Sequence, residues 1–105
     1  MAWKVRWTQH AQSQVDSAVN HALNTSGAAA AEAVRAKIYE SVELLEAFPE
    51  IAPVYEKDGT FRTRELICGR YRIFHRLDEA EAIVHIVHVQ HSAMREPRLR
   101  YPSET

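Results

Sequence analysis

The spacing of the apolar residues changes near residue 60, and this change is the strongest constraint on the fold. Before it, apolar side chains recur every three or four residues, which is typical of helices with one buried face. After it, β-branched and aromatic residues alternate with polar ones over short segments, which is typical of strands. The chain has 105 residues and 46% hydrophobic content, so it predicts one α+β domain with a single core.

Turn and capping residues divide the first half into a strand and two helices. Residues 3–7, WKVRW, alternate between apolar and charged side chains and predict a short strand. Thr8 is a favoured N-cap residue, Gly27 suits a helix end and Pro49 stops a helix. These residues predict helices over residues 9–24 and 28–48, and the short link between them predicts an antiparallel helix pair.

Three strands are expected in the second half, in the segments FRTRELIC, YRIFHRL and AIVHIVHVQH. Gly69 and Arg70 join the first two, and a glycine at the first position suits a type II′ hairpin turn. The predicted order is β-α-α-β-β-β over residues 1–105, with a tail from about residue 93. Ten apolar residues are expected to form one core: Trp3, Val5, Trp7, Val15, Val34, Ile38, Leu45, Ile73, Val87 and Val89.

The composition favours a cytoplasmic protein without a cofactor. The chain has no apolar run near the roughly 20 residues that span a bilayer, and its first residues lack the apolar stretch of a signal peptide. Cys68 is the single cysteine, which excludes an internal disulfide and is expected to be a small core residue rather than a reactive thiol. There is no glycine-rich phosphate loop and no Cys/His zinc spacing.

Arginines are concentrated in the strands although the net charge is −1. Such a cluster suits an anionic partner, either a nucleic acid or an acidic peptide, and the alternative is a solvated strand face. Alternation in the second hairpin strand places Arg70, Arg72 and Arg76 on one face with Phe74, away from the helices. The clustered arginines are Arg62, Arg64, Arg70, Arg72 and Arg76, and Arg95, Arg98 and Arg100 follow in the tail.

Three histidines in the last strand, His85, His88 and His91, raise the question of a metal site. On a regular strand His85 and His91 share a face about 20 Å apart, and His88 points the other way. Three side chains in this arrangement cannot bind one ion, so no metal site is predicted. His91 ends the strand and can therefore face a functional site.

The ordered set of motifs resembles the RelE/ParE superfamily of toxins from bacterial type II toxin–antitoxin systems, and ParE-type members in particular. The resemblance implies a helical hairpin packed on one face of an antiparallel sheet. It also implies a cognate antitoxin whose peptide wraps the toxin. The matching segments are WTQHA, LLEAFPEIA, RELICGRYRIFHRL and IVHVQHSAMR.

The resemblance leaves two activities open. ParE-like members poison DNA gyrase by binding it, and RelE-like members cleave mRNA on the ribosome. The long helix pair, the RELICGRYRI hairpin and Ser92 after His91 favour the ParE side, and a chain that has kept the fold but lost toxicity is a further alternative. For the nuclease the candidate residues are Arg64, Arg72, His91 and Arg95. For antitoxin or target binding they are Arg70, Arg72, Arg76, Arg95 and Arg98.

Arg64 has no settled place in this prediction. It shares strand parity with Leu66, so either Leu66 faces outward or the strand bends near its start.

Overall fold

The computed structural model describes residues 2–59 and 62–93 together with Pro97 and Leu99. Its element order confirms the predicted α+β fold, with two helices between the first strand and the other three. The elements are β1 (Lys4–Trp7), α1 (Gln9–Ser26), α2 (Ala28–Ala47), a short 3₁₀ turn (Glu56–Asp58), β2 (Thr63–Cys68), β3 (Tyr71–Asp78) and β4 (Ile83–His91). Most of the predicted tail from residue 93 lies outside the described residues.

The helix boundaries follow from the capping residues. The Thr8 hydroxyl accepts a hydrogen bond from the backbone N–H of Ala11 at 3.1 Å and so starts α1. Gly27 separates the helices at φ +90°, a conformation that glycine adopts without steric cost. The helices pack against each other and α1 packs on β4, so the helix pair covers one face of the sheet.

The strand order is β1-β4-β3-β2, and the sheet is mixed rather than fully antiparallel. β2, β3 and β4 form the predicted antiparallel meander, but β1 pairs with β4 in parallel, with Trp7 opposite Ile86. The antiparallel expectation is wrong for this one pair because the two helices, not a hairpin, connect β1 to the meander. Alternation within a strand indicates its buried face but not the direction of its partner.

A β-bulge in β4 changes which side chains face the helices. Phe74 pairs with His88 and His75 with Ile86, so Val87 is the extra residue on β4. Nine of the ten predicted core residues lie in the core between helices and sheet or pack against it. Val87 is the exception: it follows the helix-facing Ile86 and points to the opposite face, where it packs with Tyr55, Phe74 and Leu99, and the bulge then lets Val89 face the helices again.

The hairpin turn and Cys68 lie where the sequence predicts them. Gly69 has φ +58° while Arg70 does not have positive φ, as a type II′ turn requires. Cys68 is buried, accepts a hydrogen bond from the Ser41 hydroxyl at 3.0 Å and donates one to the Lys37 carbonyl at 3.3 Å. In the part of the chain that the structure describes, neither helix is long and apolar enough to cross a membrane.

His75 is the least expected member of the helix-facing side of β3. It is fully buried, and no side chain among the described residues hydrogen-bonds either ring nitrogen. Burial, followed by the nearby Arg64 guanidinium, lowers the pKa of His75 to about 4, although backbone groups of Ile73 and Pro49 act in the opposite direction. The imidazole is therefore neutral at pH 7.

We predict that this histidine makes the protein sensitive to acid. The unfolded chain binds the His75 proton near pH 6.5 and the folded chain only near pH 4, so stability is complete above about pH 6.5 and falls as the pH drops to about 4. The loss should be about 3 kcal/mol. Urea unfolding across this pH range should show a smaller decline in the free energy of unfolding for His75→Phe than for the unchanged protein. His21→Phe, at an exposed position, should show the same decline as the unchanged protein. An identical decline in His75→Phe would contradict the assignment.

Candidate functional site

Arg72 is a fixed cation on the sheet face opposite the helices. Its Nε donates a hydrogen bond to the carboxylate of Glu65 on β2, and 11% of its side chain is exposed. The guanidinium carbon lies 5.1 Å from the ring centre of Phe74 and 5.9 Å from that of Tyr55. Two aromatic faces and a carboxylate therefore hold this arginine in place and offset its charge.

His88 lies beside this arginine on the same face because of the bulge. Its ring contacts Phe74 edge-on, with centres 5.8 Å apart, and its Nε2 is 2.8 Å from the amide oxygen of Gln90. An amide oxygen can only accept, so Nε2 carries the proton and Nδ1 carries the lone pair. That lone pair faces α1, where His10 Nε2 lies at 3.2 Å and the amide nitrogen of Gln14 at 3.3 Å.

Gln14 also covers the edge of β4 beyond the end of β1. Its side-chain oxygen accepts a hydrogen bond from the backbone N–H of Val89 at 2.8 Å, and its nitrogen faces His88. One amide thus takes the place of a neighbouring strand and fixes His88 against α1. Both nitrogens of His88 are occupied by these partners.

The environment of His88 keeps it uncharged. Burial lowers its pKa, the hydrogen bond to Gln90 partly offsets this effect, and the positive potential of His10 and Arg72 lowers the pKa further. A neutral imidazole with both nitrogens engaged holds α1 against the sheet.

His91 lies on the other face, at the end of β4. It pairs with Tyr71 of β3, contacts that ring edge-on at 5.6 Å between centres, and accepts a hydrogen bond at Nδ1 from the Ala93 backbone at 3.1 Å. With His10 and His21 it lines a groove of about 500 Å³ between α1 and the end of β4. It is half-buried and faces this groove rather than Arg72.

The family and structural comparisons agree with this architecture. A family model described as "ParE toxin of type II toxin-antitoxin system, parDE" matches residues 5–96. The chain belongs to this toxin family. The resemblance drawn from the sequence motifs is thereby confirmed. No curated protein matches the sequence.

Two solved structures share the toxin fold. One is a chromosomal ParDE toxin–antitoxin system from P. aeruginosa, with TM-score 0.71 and 20% identity over 86% of this chain and 96% of that chain. The other is the toxin–antitoxin complex RelBE2 from Mycobacterium tuberculosis, with TM-score 0.63 and 19% identity over 87% of this chain and 99% of that chain.

Within the described part of the toxin, the candidate nuclease residues Arg64, Arg72 and His91 do not lie together. Arg64 lies on the helix-facing side opposite His75, and its Nη1 donates hydrogen bonds to the carbonyls of Ala52 at 2.7 Å and Glu50 at 3.4 Å. Arg72 points to the other face, and His91 lies at the strand end next to the groove. Arg95 is outside the described residues.

The candidate binding arginines differ in how much surface they offer. Arg70 is exposed at the hairpin turn, Arg72 is mostly buried against Glu65, and Arg76 retains only 8% exposure. Arg95 and Arg98 lie outside the described residues. Arg72 and Arg76 lie on the sheet face away from the helices, as expected, but both are largely covered there, so this face is not a row of solvated arginines.

The three histidines of β4 occupy a strand, as predicted, but the expected facing is wrong. His85 pairs with Arg76 and His88 with Phe74, so both point away from the helices, and His91 points toward them. The extra residue at Val87 shifts the alternation between His85 and His88. Within residues 2–59 and 62–93, no three His, Cys, Asp or Glu side chains are grouped to hold a metal ion.

Sequence reasoning missed four residues of this region: His10, Gln14, Tyr55 and Glu65. His10 and Gln14 are one helical turn apart on α1, so their shared face could have been read from the sequence. Their contact with His88 could not have been read from the sequence, because it requires that β4 continue past Ile86, where its pairing with β1 ends. Glu65 is the one acidic residue in the arginine cluster, which is the signal that it pairs with one of them.

Proposed function

We propose that this toxin arrests growth in the cytoplasm by poisoning DNA gyrase and that a cognate antitoxin neutralises it. The observation that carries the proposal is the separation of Arg64, Arg72 and His91 onto different parts of the fold. Binding a protein target needs a shaped surface and no shared reaction centre. Among the described residues, this chain offers a shaped surface, but the candidate residues for a reaction centre lie apart.

The chemistry of RNA cleavage explains why this separation matters. Cleavage requires a group that takes the 2′-hydroxyl proton, a group that protonates the leaving oxygen, and a cation at the phosphate, all within a few ångströms. The histidine next to Arg72 is His88, which is neutral and has both nitrogens engaged. His91 contacts Tyr71 and Ala93 instead.

The arginine cluster also gives little support to ribosome docking. Arg64 is bonded to loop carbonyls, Arg72 to Glu65, and Arg76 is buried, so three of the five clustered arginines turn into the protein. At a net charge of −1 the chain lacks the broad positive field that binding to ribosomal RNA uses. Ribosome-dependent cleavage is therefore the alternative against which the proposal is tested.

An acidic antitoxin segment fits the arginine-bearing face. The two similar structures are described as toxin–antitoxin assemblies, which supports a partner of this kind. We place its carboxylates at Arg70 and Arg72, with Arg95 and Arg98 in the tail, and not at Arg76, which is buried on its strand face. A carboxylate from the antitoxin would compete with Glu65 for Arg72, and this ion pairing should weaken with salt.

Reversing the charge at Arg72 should weaken antitoxin binding. We expect Arg72→Glu to reduce the affinity for the antitoxin encoded by the neighbouring reading frame by about tenfold or more at low salt. Arg35→Glu is the matched control, because Arg35 is also an arginine over an aromatic ring, at 5.5 Å from Tyr39, but lies on α2. Calorimetric titration of both variants, with their melting curves, measures the difference. Equal losses would place the antitoxin elsewhere.

Expression of the toxin without its antitoxin should arrest growth with DNA damage while transcripts stay intact. His91→Ala should leave the arrest largely unchanged, because His91 lines a groove on the opposite side from Arg72, and removal of residues 95–105 should weaken it. Mapping of transcript ends after induction checks this outcome. Codon-phased cuts that disappear in His91→Ala or Arg72→Ala would replace the gyrase proposal by the nuclease. A folded protein that causes no arrest would indicate lost toxicity.

A further inference from the structure

A group of large apolar side chains is exposed where α2 ends. Leu44 is 49% exposed, Phe48 59%, Ile51 56% and Val54 36%. We call these four residues the α2-end patch. Residues this large rarely stay exposed in a cluster unless they bind something.

The backbone beneath the patch is firmly held. Ile51 donates its backbone N–H to the Phe48 carbonyl at 3.1 Å, and β2 donates from Glu65 to the Pro53 carbonyl at 3.0 Å. Arg64 reaches across to the Ala52 carbonyl at 2.7 Å, and Ala52 itself is buried. The patch therefore sits on a platform that is already ordered, which lowers the entropy cost of docking. Arg64 acts here as a positioning residue for the loop.

The exposed charged side chains between Leu44 and Ile51 and just before them are negative, whereas the nearby Arg64 guanidinium is bound to carbonyls of the loop. Glu43 and Glu46 on α2 and Glu50 after it are all exposed, and they alternate along the chain with Leu44, Phe48 and Ile51. A partner that covers this surface should offer an apolar pocket with lysines or arginines at its rim. An acidic antitoxin segment does not fit that description, whereas it fits the arginine-bearing face.

We propose that the α2-end patch docks the target protein of the toxin, through an apolar pocket with a basic rim. This inference rests on the proposed function, in which that target is DNA gyrase. Phe48 and Ile51 would enter the pocket, because they are the most exposed side chains of the patch and a few residues packed in a desolvated pocket carry most of the binding energy at an interface. The three glutamates would meet the basic rim.

The test is direct binding of purified DNA gyrase holoenzyme to the full-length toxin. We expect Phe48→Ser/Ile51→Ser to bind at least about tenfold more weakly than the unchanged toxin. Leu23→Ser is the matched control, since Leu23 is 46% exposed at the end of α1, and it should bind as the unchanged toxin does. Glu46→Lys/Glu50→Lys should also lose affinity and show a weaker dependence on salt, while Glu32→Lys, near the start of α2 and away from the patch, should do neither.

Circular dichroism melting and sedimentation accompany the binding assay, and each remaining result has a defined meaning. If the unchanged toxin binds gyrase and the patch variants bind equally well, the docking surface is wrong and the proposed function stands. If the unchanged toxin does not bind gyrase, the proposed function and this docking assignment both fail. If Phe48→Ser/Ile51→Ser instead turns a dimer into a monomer, or loses only the antitoxin, then a second copy or the antitoxin covers the patch and the inference is overturned.

Discussion

The single extra residue at Val87 determines which side chains at the end of β4 face the helices and which face the arginines. Because side chains alternate along a strand, one inserted residue reverses the facing of every position beyond it. The bulge turns His88 and Gln90 toward Arg72 and Phe74, and it returns Val89 and His91 to the helix side. Val87 itself packs in a second apolar cluster around Phe74, on the face that carries the arginines.

The local patterns in the sequence predict most of the fold, because helix caps, turns and buried faces depend on residues close together in the chain. Thr8, Gly27 and Gly69 act at their own positions, and the apolar stripe of α2 follows from its own spacing. The parallel pairing of β1 and the bulge were not predictable from these patterns, because each depends on where distant segments meet. The misplacement of Val87 and of the β4 histidines follows directly from the missing bulge.

The candidate site was predictable in its residue types but not in its geometry. The arginine cluster and the strand-end histidine are visible in the sequence, but their roles depend on partners far along the chain. Arg64 supports the loop after α2, Arg72 is held by Glu65, and His88 is fixed by Gln14 of α1. The result is a toxin fold with two surfaces of opposite character, an arginine-bearing sheet face and an apolar patch with a carboxylate rim.

Purified components distinguish a toxin that acts by binding gyrase, as we propose, from one that cleaves RNA. The toxin would be added in parallel to a gyrase supercoiling reaction and to ribosomes halted on a defined mRNA. If the toxin acts by binding, supercoiling should be inhibited with accumulation of cleaved DNA, and the mRNA should stay full-length even at toxin concentrations equal to those of the ribosomes. Ribosome-dependent cutting of the mRNA that is lost in Arg72→Ala, with supercoiling unaffected, would contradict the proposal.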